Sequence, residues 1–233
     1  MALNNYTGIA ASVADWLNRA GFTEITDRVE DFILLAHKRI IRDVRAPWME
    51  KDAVPSVSDT TGEASLPADY LDNKALVYTD TSETKTFGLV RAPRYVVESQ
   101  QEATGPCKFY EVNSSKIFVG PMPAAADTFI LYYYFEPAAI STSVATNEIS
   151  DEAPELYLYG ALIEAAIFMK DPAVAGIYKG EFDEAKRRIE QYATEHESSG
   201  DAMTGRKEKP YKENHISMEQ RIELMRQALQ QDT

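Results

Sequence analysis

Apolar residues recur at helical spacing in the first 45 residues of the chain. One such pattern predicts a helix over residues 7–19. A second helix is predicted to begin at Asp27, where Glu30 completes the spacing of a capping box, and to end before Pro47. Each helix has an apolar face, and each face needs a partner in the folded chain.

Helical spacing returns after residue 150. Between residues 156 and 169 only Gly160 and Glu164 interrupt an apolar run, which predicts a helix over residues 151–169 that is buried on nearly every side. The pair Asp171-Pro172 is a typical N-cap followed by a proline in the first turn, so a second helix is predicted to follow. That helix is amphipathic and should lie on a surface.

The middle of the chain has the composition of strands and turns. Pro, Gly, Ser and Thr separate short runs rich in Val, Ile, Tyr and Phe, and residues 93–101 fit a short helix. The run over residues 129–135 does not alternate polar with apolar residues, which predicts a strand covered on both faces. The predicted strands cover residues 48–54, 74–79, 86–90, 107–112, 116–119 and 128–135.

The last 36 residues form a separate extension. Residues 198–214 are polar and predict a linker, and Ser217 with Gln220 predicts the start of a final helix that runs to about residue 230. This helix has a narrow apolar stripe that fits either a groove on another chain or the chain's own helices. A basic run precedes it, which is either solvated or docks on an acidic surface or a phosphate backbone. The candidate contact residues are Arg206, Lys207, Lys209, Lys212, Ile216, Met218, Ile222, Met225 and Leu229.

Together these patterns predict an α+β fold. Residues 1–47 and 150–197 should form a four-helix bundle, and residues 48–149 a β-rich domain inserted between its second and third helices. Residues 198–233 should form the linker and the C-terminal helix.

Charge and composition restrict the partners. The net charge of −13 opposes binding to nucleic acid, since affinity for phosphates needs clustered Lys and Arg, and it opposes binding to anionic membranes. No apolar run is long enough to span a bilayer, and the first eight residues do not resemble a signal peptide. The single cysteine excludes an internal disulfide. These features predict a soluble protein that is made and assembled in a cytoplasm.

Signals of catalysis are weak. No nucleotide-binding glycine motif is present, and the three histidines, which are far apart in sequence, are predicted to be surface or capping residues. Cys107 is predicted to be a small buried residue. Glu164 should lie on a polar edge of the bundle or pair with an arginine such as Arg39 or Arg42. The acids Asp151, Glu152 and Glu155 are predicted to lie in the first turn of one helix, where its positive end favours them.

Several short segments, taken in order, resemble phage head-to-tail adaptor proteins. They are Tyr6-Thr7-Gly8 and residues 14–19, 31–36, 66–71, 104–106, 120–123 and 156–162, and the last, Leu-Tyr-Leu-Tyr-Gly-Ala-Leu, is the densest. The family includes the connectors of short-tailed phages of the tail tubular protein A type. The resemblance covers residues 3 to 195, roughly, and does not extend to the C-terminal residues.

The resemblance implies a structural virion protein without enzymatic activity or a cofactor. It implies a homo-oligomeric ring, commonly of twelve copies, that joins the portal protein to the tail nozzle or tail fibre proteins in the neck of the virion. Genomic DNA would pass through the lumen without specific binding. Two alternatives remain from the residues: another completion protein of the virion, and a tail-associated cell-wall hydrolase that uses a pair of carboxylates.

Overall fold

The computed structural model describes residues 3–17, 23–103 and 105–204, which contain seven α-helices and two four-stranded sheets. The helices are α1 (Tyr6–Trp16), α2 (Thr23–Thr26), α3 (Val29–Asp43), α4 (Arg94–Gln100), α5 (Glu148–Glu152), α6 (Pro154–Phe168) and α7 (Pro172–Thr204). The strands are β1 (Glu50–Ala53), β2 (Glu63–Ser65), β3 (Tyr70–Asp80), β4 (Lys85–Gly88), β5 (Val90–Arg91), β6 (Phe109–Asn113), β7 (Lys116–Gly120) and β8 (Thr128–Phe135). The predicted α+β class is confirmed, and the finer division into a four-helix bundle, an insert and an extension stays a prediction.

The start of α3 differs from the predicted capping box. Asp27 is not its N-cap, because the Asp27 N–H donates to the Thr23 carbonyl at 2.9 Å and closes the last turn of α2. Helix α3 begins one residue later, after Arg28, whose side chain makes no capping hydrogen bond. The Asp27 N–H that the capping box would use is therefore already bonded within α2.

Helix α7 is longer than the sequence predicts. It continues to Thr204, so residues 198–204, predicted as the start of a linker, are helical. Ser and Gly lower helix propensity but retain the backbone N–H that proline lacks, and the next proline is Pro210. The chain up to Thr194 belongs to one compact unit, and residues 195–204 continue the helix.

Helices α3 and α6 pack closely against each other. Nine of the 15 residues of α6 are buried, as its apolar sequence predicts, although Ile167 and Phe168 at its end are exposed. The closest approach is at Gly160, where an added Cβ would lie 2.8 Å from the Cβ of Ala36. Glycine at this position lets the two backbones approach each other.

Replacing Gly160 by alanine is expected to lower the free energy of unfolding by about 1–2 kcal/mol. The added methyl group overpacks the contact with Ala36, and this cost exceeds the better helix propensity of alanine. The matched control is Gly176→Ala in α7, where an added Cβ meets nothing within 4 Å. The control should raise stability by up to about 1 kcal/mol. Urea unfolding measures both changes, and equal stabilisation by both variants would contradict the close contact.

The acidic residue in the middle of α6 is paired. Glu164 forms an ion pair with Arg39 of α3, and the two side chains are mostly buried. This confirms the predicted pairing of Glu164 with an arginine of the second predicted helix. The ion pair lies beside the Ala36 contact and supplies the partner that a largely buried carboxylate requires.

The strands form two sheets. Sheet I has the strand order β1-β8-β3-β4 and is antiparallel throughout. Sheet II has the order β2-β7-β6-β5, in which β5 pairs parallel with β6. Every predicted strand matches a strand of the structure, but β2 and β5 were not predicted as separate strands. They have three and two residues, too few for an alternating pattern to be recognised.

Strand β8 does not have the two covered faces that its sequence predicts. Burial alternates along it: Phe129, Leu131, Tyr133 and Phe135 are buried, whereas Ile130, Tyr132 and Tyr134 are partly or largely exposed. The buried side belongs to the hydrophobic core that the sheets share with α1, α3, α6 and α7. The opposite side is apolar in sequence, yet no buried residue lies on it.

Candidate functional site

One of the buried polar residues is a histidine, which contradicts the prediction of a surface or capping residue. His37 is 1% exposed, and its Nδ1 lies 2.7 Å from the Tyr157 hydroxyl. Asn147 Nδ2 donates to the same hydroxyl oxygen at 2.8 Å, so the hydroxyl hydrogen is free to be donated to Nδ1. Burial, and secondarily the charge of Lys38, lowers the pKa of His37 to about 4. His37 is therefore a neutral residue of the core. The side chains of His196 and His215 are outside the part of the chain whose side chains the structure describes.

The cysteine is buried, as predicted. Cys107 is buried, and its thiol donates to the Pro121 carbonyl oxygen at 2.9 Å. Burial raises the pKa of the Cys107 thiol to about 12, so the reactive thiolate is absent at neutral pH. Cys107 therefore fills space in the core beside sheet II.

The three acids predicted in one helical turn lie in two helices. Asp151 and Glu152 end α5, whereas Glu155 lies in the first turn of α6. The break comes at Ala153, whose φ of −143° and ψ of 60° are not helical. Asp151 instead lines an open cleft of about 470 Å³ with Glu148, Asp69, Glu136 and Lys51.

Lysines already neutralise part of this cleft. Lys51 Nζ is 3.0 Å from Asp69 Oδ2, and Lys38 Nζ is 2.9 Å from Glu136 Oε1. Across residues 3–17, 23–103 and 105–204, no group of three or more His, Cys, Asp or Glu side chains has an arrangement that could hold a metal ion. No helix in the same part of the chain is long and apolar enough to cross a membrane.

The outer face of sheet I is the most distinctive surface. We define it by the residues that point away from the core at its centre: Val77 and Ala75 of β3, Ile130 and Tyr132 of β8, and Gly88 of β4. Register places Ile130 beside Val77 and Val77 beside Gly88, while Tyr132 lies between Ala75 and Asp52. Tyr132 is 41% exposed, and a Cβ added at Gly88 would meet nothing within 4 Å. An exposed apolar surface of this kind is typical of an interaction site.

The outward side of α3 is a second exposed surface. The inward side of this helix is buried, but Leu34 and Leu35 on the other side are 45% and 51% exposed. Lys38 and Arg42 follow them along the same side, one and two turns later. We call these four residues the outer stripe of α3.

The end of α6 adds a third apolar surface. Ile167 and Phe168 are exposed there, and the Phe168 ring packs against Phe32, with ring centroids 5.6 Å apart. The guanidinium of Arg28 lies 5.3 Å from the centroid of the same ring. A cation over an exposed ring is a common element of protein interfaces.

The contact residues predicted from the sequence lie in the last part of the chain. Arg206, Lys207, Lys209, Lys212, Ile216, Met218, Ile222, Met225 and Leu229 are all outside the described residues. Their role as contacts therefore stays a prediction.

Comparison with known protein families identifies the chain. The family model of the SU10 adaptor protein matches residues 4–206, which include all of the helices and strands above. The chain belongs to the SU10 adaptor protein family. A comparison with curated proteins finds no match.

Membership makes the chain a structural protein of a bacteriophage virion, and it bears out the predicted resemblance to phage head-to-tail adaptors. As an adaptor it is a component of the neck or tail of the virion. Its family is structural rather than enzymatic.

The sequence does not predict the candidate surfaces of the chain as sites. The unbroken apolar run of β8 is a signal for the outer face of sheet I, since it predicts a strand covered on both faces, but it does not indicate what covers the second face. The outer stripe of α3 gave no separate signal, since two leucines on the polar side of a helix are common.

Proposed function

We propose that the protein forms a closed ring of about twelve copies that joins the portal to the tail and encloses part of the DNA ejection channel. The observation that carries this proposal is the match to the adaptor family over residues 4–206. The ring and the subtype of short-tailed phage connectors follow from the resemblance in the sequence. A ring also gives the exposed apolar surfaces of the subunit a partner.

The charge of the chain supports passage of DNA without binding. Each copy carries a net charge of −13, so a ring of many copies is strongly negative. Carboxylates along a lumen repel DNA phosphates, and the genome can move through without specific contacts. The protein should therefore not retain double-stranded DNA even in low salt.

We propose that the C-terminal segment supplies the contacts to the portal or to a neighbouring subunit. Its basic run can dock on an acidic surface, and the apolar stripe of its predicted helix can lie in a groove. The residues concerned are Arg206, Lys207, Lys209, Lys212, Ile216, Met218, Ile222, Met225 and Leu229.

Deleting residues 206–233 is expected to weaken portal binding by about tenfold or more. A tenfold change in affinity corresponds to about 1.4 kcal/mol of binding free energy. Loss of even one buried apolar side chain of the stripe costs at least that much. Mass photometry of portal rings mixed with the full chain should detect added mass of about twelve subunits. The truncated chain should add little mass at the same concentration.

Two controls make this experiment decisive. The unfolding temperature of the truncated chain should equal that of the full chain, which separates lost docking from lost folding. Full-length chain with Met218→Ser and Ile222→Ser tests the stripe without removing the basic run. Unchanged portal binding by the truncated chain would refute the role of this segment, and a full chain that stays monomeric beside portal rings would refute the ring.

A further inference from the structure

Strand β8 carries more apolar sequence than its own fold uses. The run over residues 129–135 contains seven consecutive apolar or aromatic residues, but only every second side chain enters the core. An antiparallel sheet with one face in water normally alternates apolar and polar residues. The outer face of sheet I therefore has the composition of a covered surface, although residues 3–17, 23–103 and 105–204 of one chain leave Tyr132 exposed.

The shape of this face suits an elongated partner. Ala75 is the small neighbour of Tyr132 on β3, and Gly88 is the small neighbour of Val77 on β4, where an added Cβ would meet nothing within 4 Å. Ile130 and Val77 form an apolar pair one row away from Tyr132 on neighbouring strands. A helix with a few projecting apolar side chains can lie across such a surface.

The charge on this face is negative at one edge. Asp52 lies beside Tyr132 and forms no ion pair within the described part of the chain. In contrast, the neighbouring Glu50 is paired with Lys74 at 2.5 Å. A partner should therefore bring one cation to Asp52 together with apolar side chains for Ile130 and Val77.

The outer stripe of α3 has these features. Leu34 and Leu35 project from the helix, and Arg42, which makes no ion pair in the described residues, follows two turns later. Two helical turns span about 11 Å. Asp52 lies on β1 and Val77 on β3, two strand spacings apart across the sheet, and Val77 is also two residues further along the strand direction. Together these offsets give a separation of about 12 Å. The stripe and the outer face of sheet I thus match in both spacing and charge.

We infer that the outer face of sheet I binds the outer stripe of α3 of a second copy of this chain. Arg42 then pairs with Asp52 across the interface, while Leu34 and Leu35 cover Ile130, Val77 and the open side of Tyr132. Because the two surfaces differ, each copy can use both, and such head-to-tail contacts close into a ring or continue as a filament. Only the closure into a ring rests on the proposed function.

Cross-linking tests which surfaces meet. In full-length chain, Leu35→Cys and Tyr132→Cys are combined and treated with a short bismaleimide, both alone and in the presence of portal rings. The buried thiol of Cys107 serves as the background in unmodified chain. The double variant should give a ladder of dimers, trimers and larger products, whereas neither single variant should exceed the background.

A charge exchange tests the predicted ion pair. Asp52→Arg or Arg42→Asp alone should weaken association of the chain with itself by about tenfold, and the two together should restore most of it. Asp59→Arg, an equal change of charge at an exposed loop position, is the matched control and should have no effect. Unfolding temperatures of all variants should stay near that of the unmodified chain, which shows that the changes act on association.

The outcomes separate this inference from the proposed function. Absence of a ladder under both conditions, or absence of rescue in the charge exchange, overturns the inference. Cross-links from residue 132 to the portal protein alone also overturn it and identify the portal as the occupant of this face. In either case mass photometry can still detect a ring on the portal, so the proposed function stands or fails on its own measurement.

Discussion

Replacing Tyr157 by phenylalanine is expected to lower the free energy of unfolding by about 2–4 kcal/mol. The hydroxyl group bonds to both His37 Nδ1 and Asn147 Nδ2 in a buried site. Its removal leaves one acceptor and one donor without this partner, and each unsatisfied buried polar group costs about 1–3 kcal/mol. Asn147 retains its bond to the Ala138 carbonyl, which keeps the loss near the lower half of the possible range.

Tyr159→Phe is the matched control for this change. It removes the same hydroxyl group from the same helix, two residues later, where the ring packs against Trp16 and the hydroxyl makes no hydrogen bond to the described residues. We expect a change below about 0.5 kcal/mol. Chemical unfolding of the two variants compares them directly, and equal effects would contradict the account of the buried hydrogen bonds.

Stability is expected to fall by about 2 kcal/mol between pH 7 and pH 5 because of His37. Its pKa is about 4 in the folded chain and near 6.5 in the unfolded chain, so the unfolded chain binds the proton first as the pH falls. The contribution is fully present above about pH 6.5 and is lost progressively as the pH drops towards 4. The total loss approaches about 3 kcal/mol.

The window from pH 7 to pH 5 isolates the histidine. Carboxylates such as Asp69 and Asp127, whose pKa values are lowered by hydrogen bonds from their neighbours, affect stability mainly below pH 5. His37→Gln should flatten the dependence in this window, even if the variant is less stable overall. A slope that persists in His37→Gln would assign the acid sensitivity to other groups.

The elements of this fold were largely predictable because their local signals agree. Helix α6 is mostly apolar and begins with Pro154. Helix α7 begins directly after the predicted cap residue Asp171, whose side chain accepts a hydrogen bond from the Val174 N–H at 3.1 Å. The boundaries of β8 coincide with those predicted. The predicted start of α3 was wrong. A capping box at Asp27 and the last turn of α2 both use the Asp27 N–H, and the sequence does not reveal which of the two forms.

Contacts that join distant segments were harder to predict. The pairing of Glu164 with Arg39 could be inferred, since a carboxylate in an apolar helix requires a cation from the helix it faces. The burial of His37 could not, because its partner Tyr157 is 120 residues away in the sequence and nothing near His37 indicates the pairing.

The candidate surfaces depend on which sides of each element remain exposed. The apolar run of β8 predicted two covered faces, and the fold covers one of them. Periodicity can indicate that a residue avoids water, but it cannot indicate whether the covering atoms come from the same chain or from a neighbouring one. The distinction required the strand register of sheet I and the exposure of Tyr132.

A reconstruction of the virion neck tests the central claim most directly. The account predicts a closed ring of this chain between the portal and the tail, with the outer face of sheet I against α3 of the adjacent subunit and carboxylates along the lumen. Density for this chain elsewhere in the particle, or as isolated copies that do not surround the channel, would contradict it.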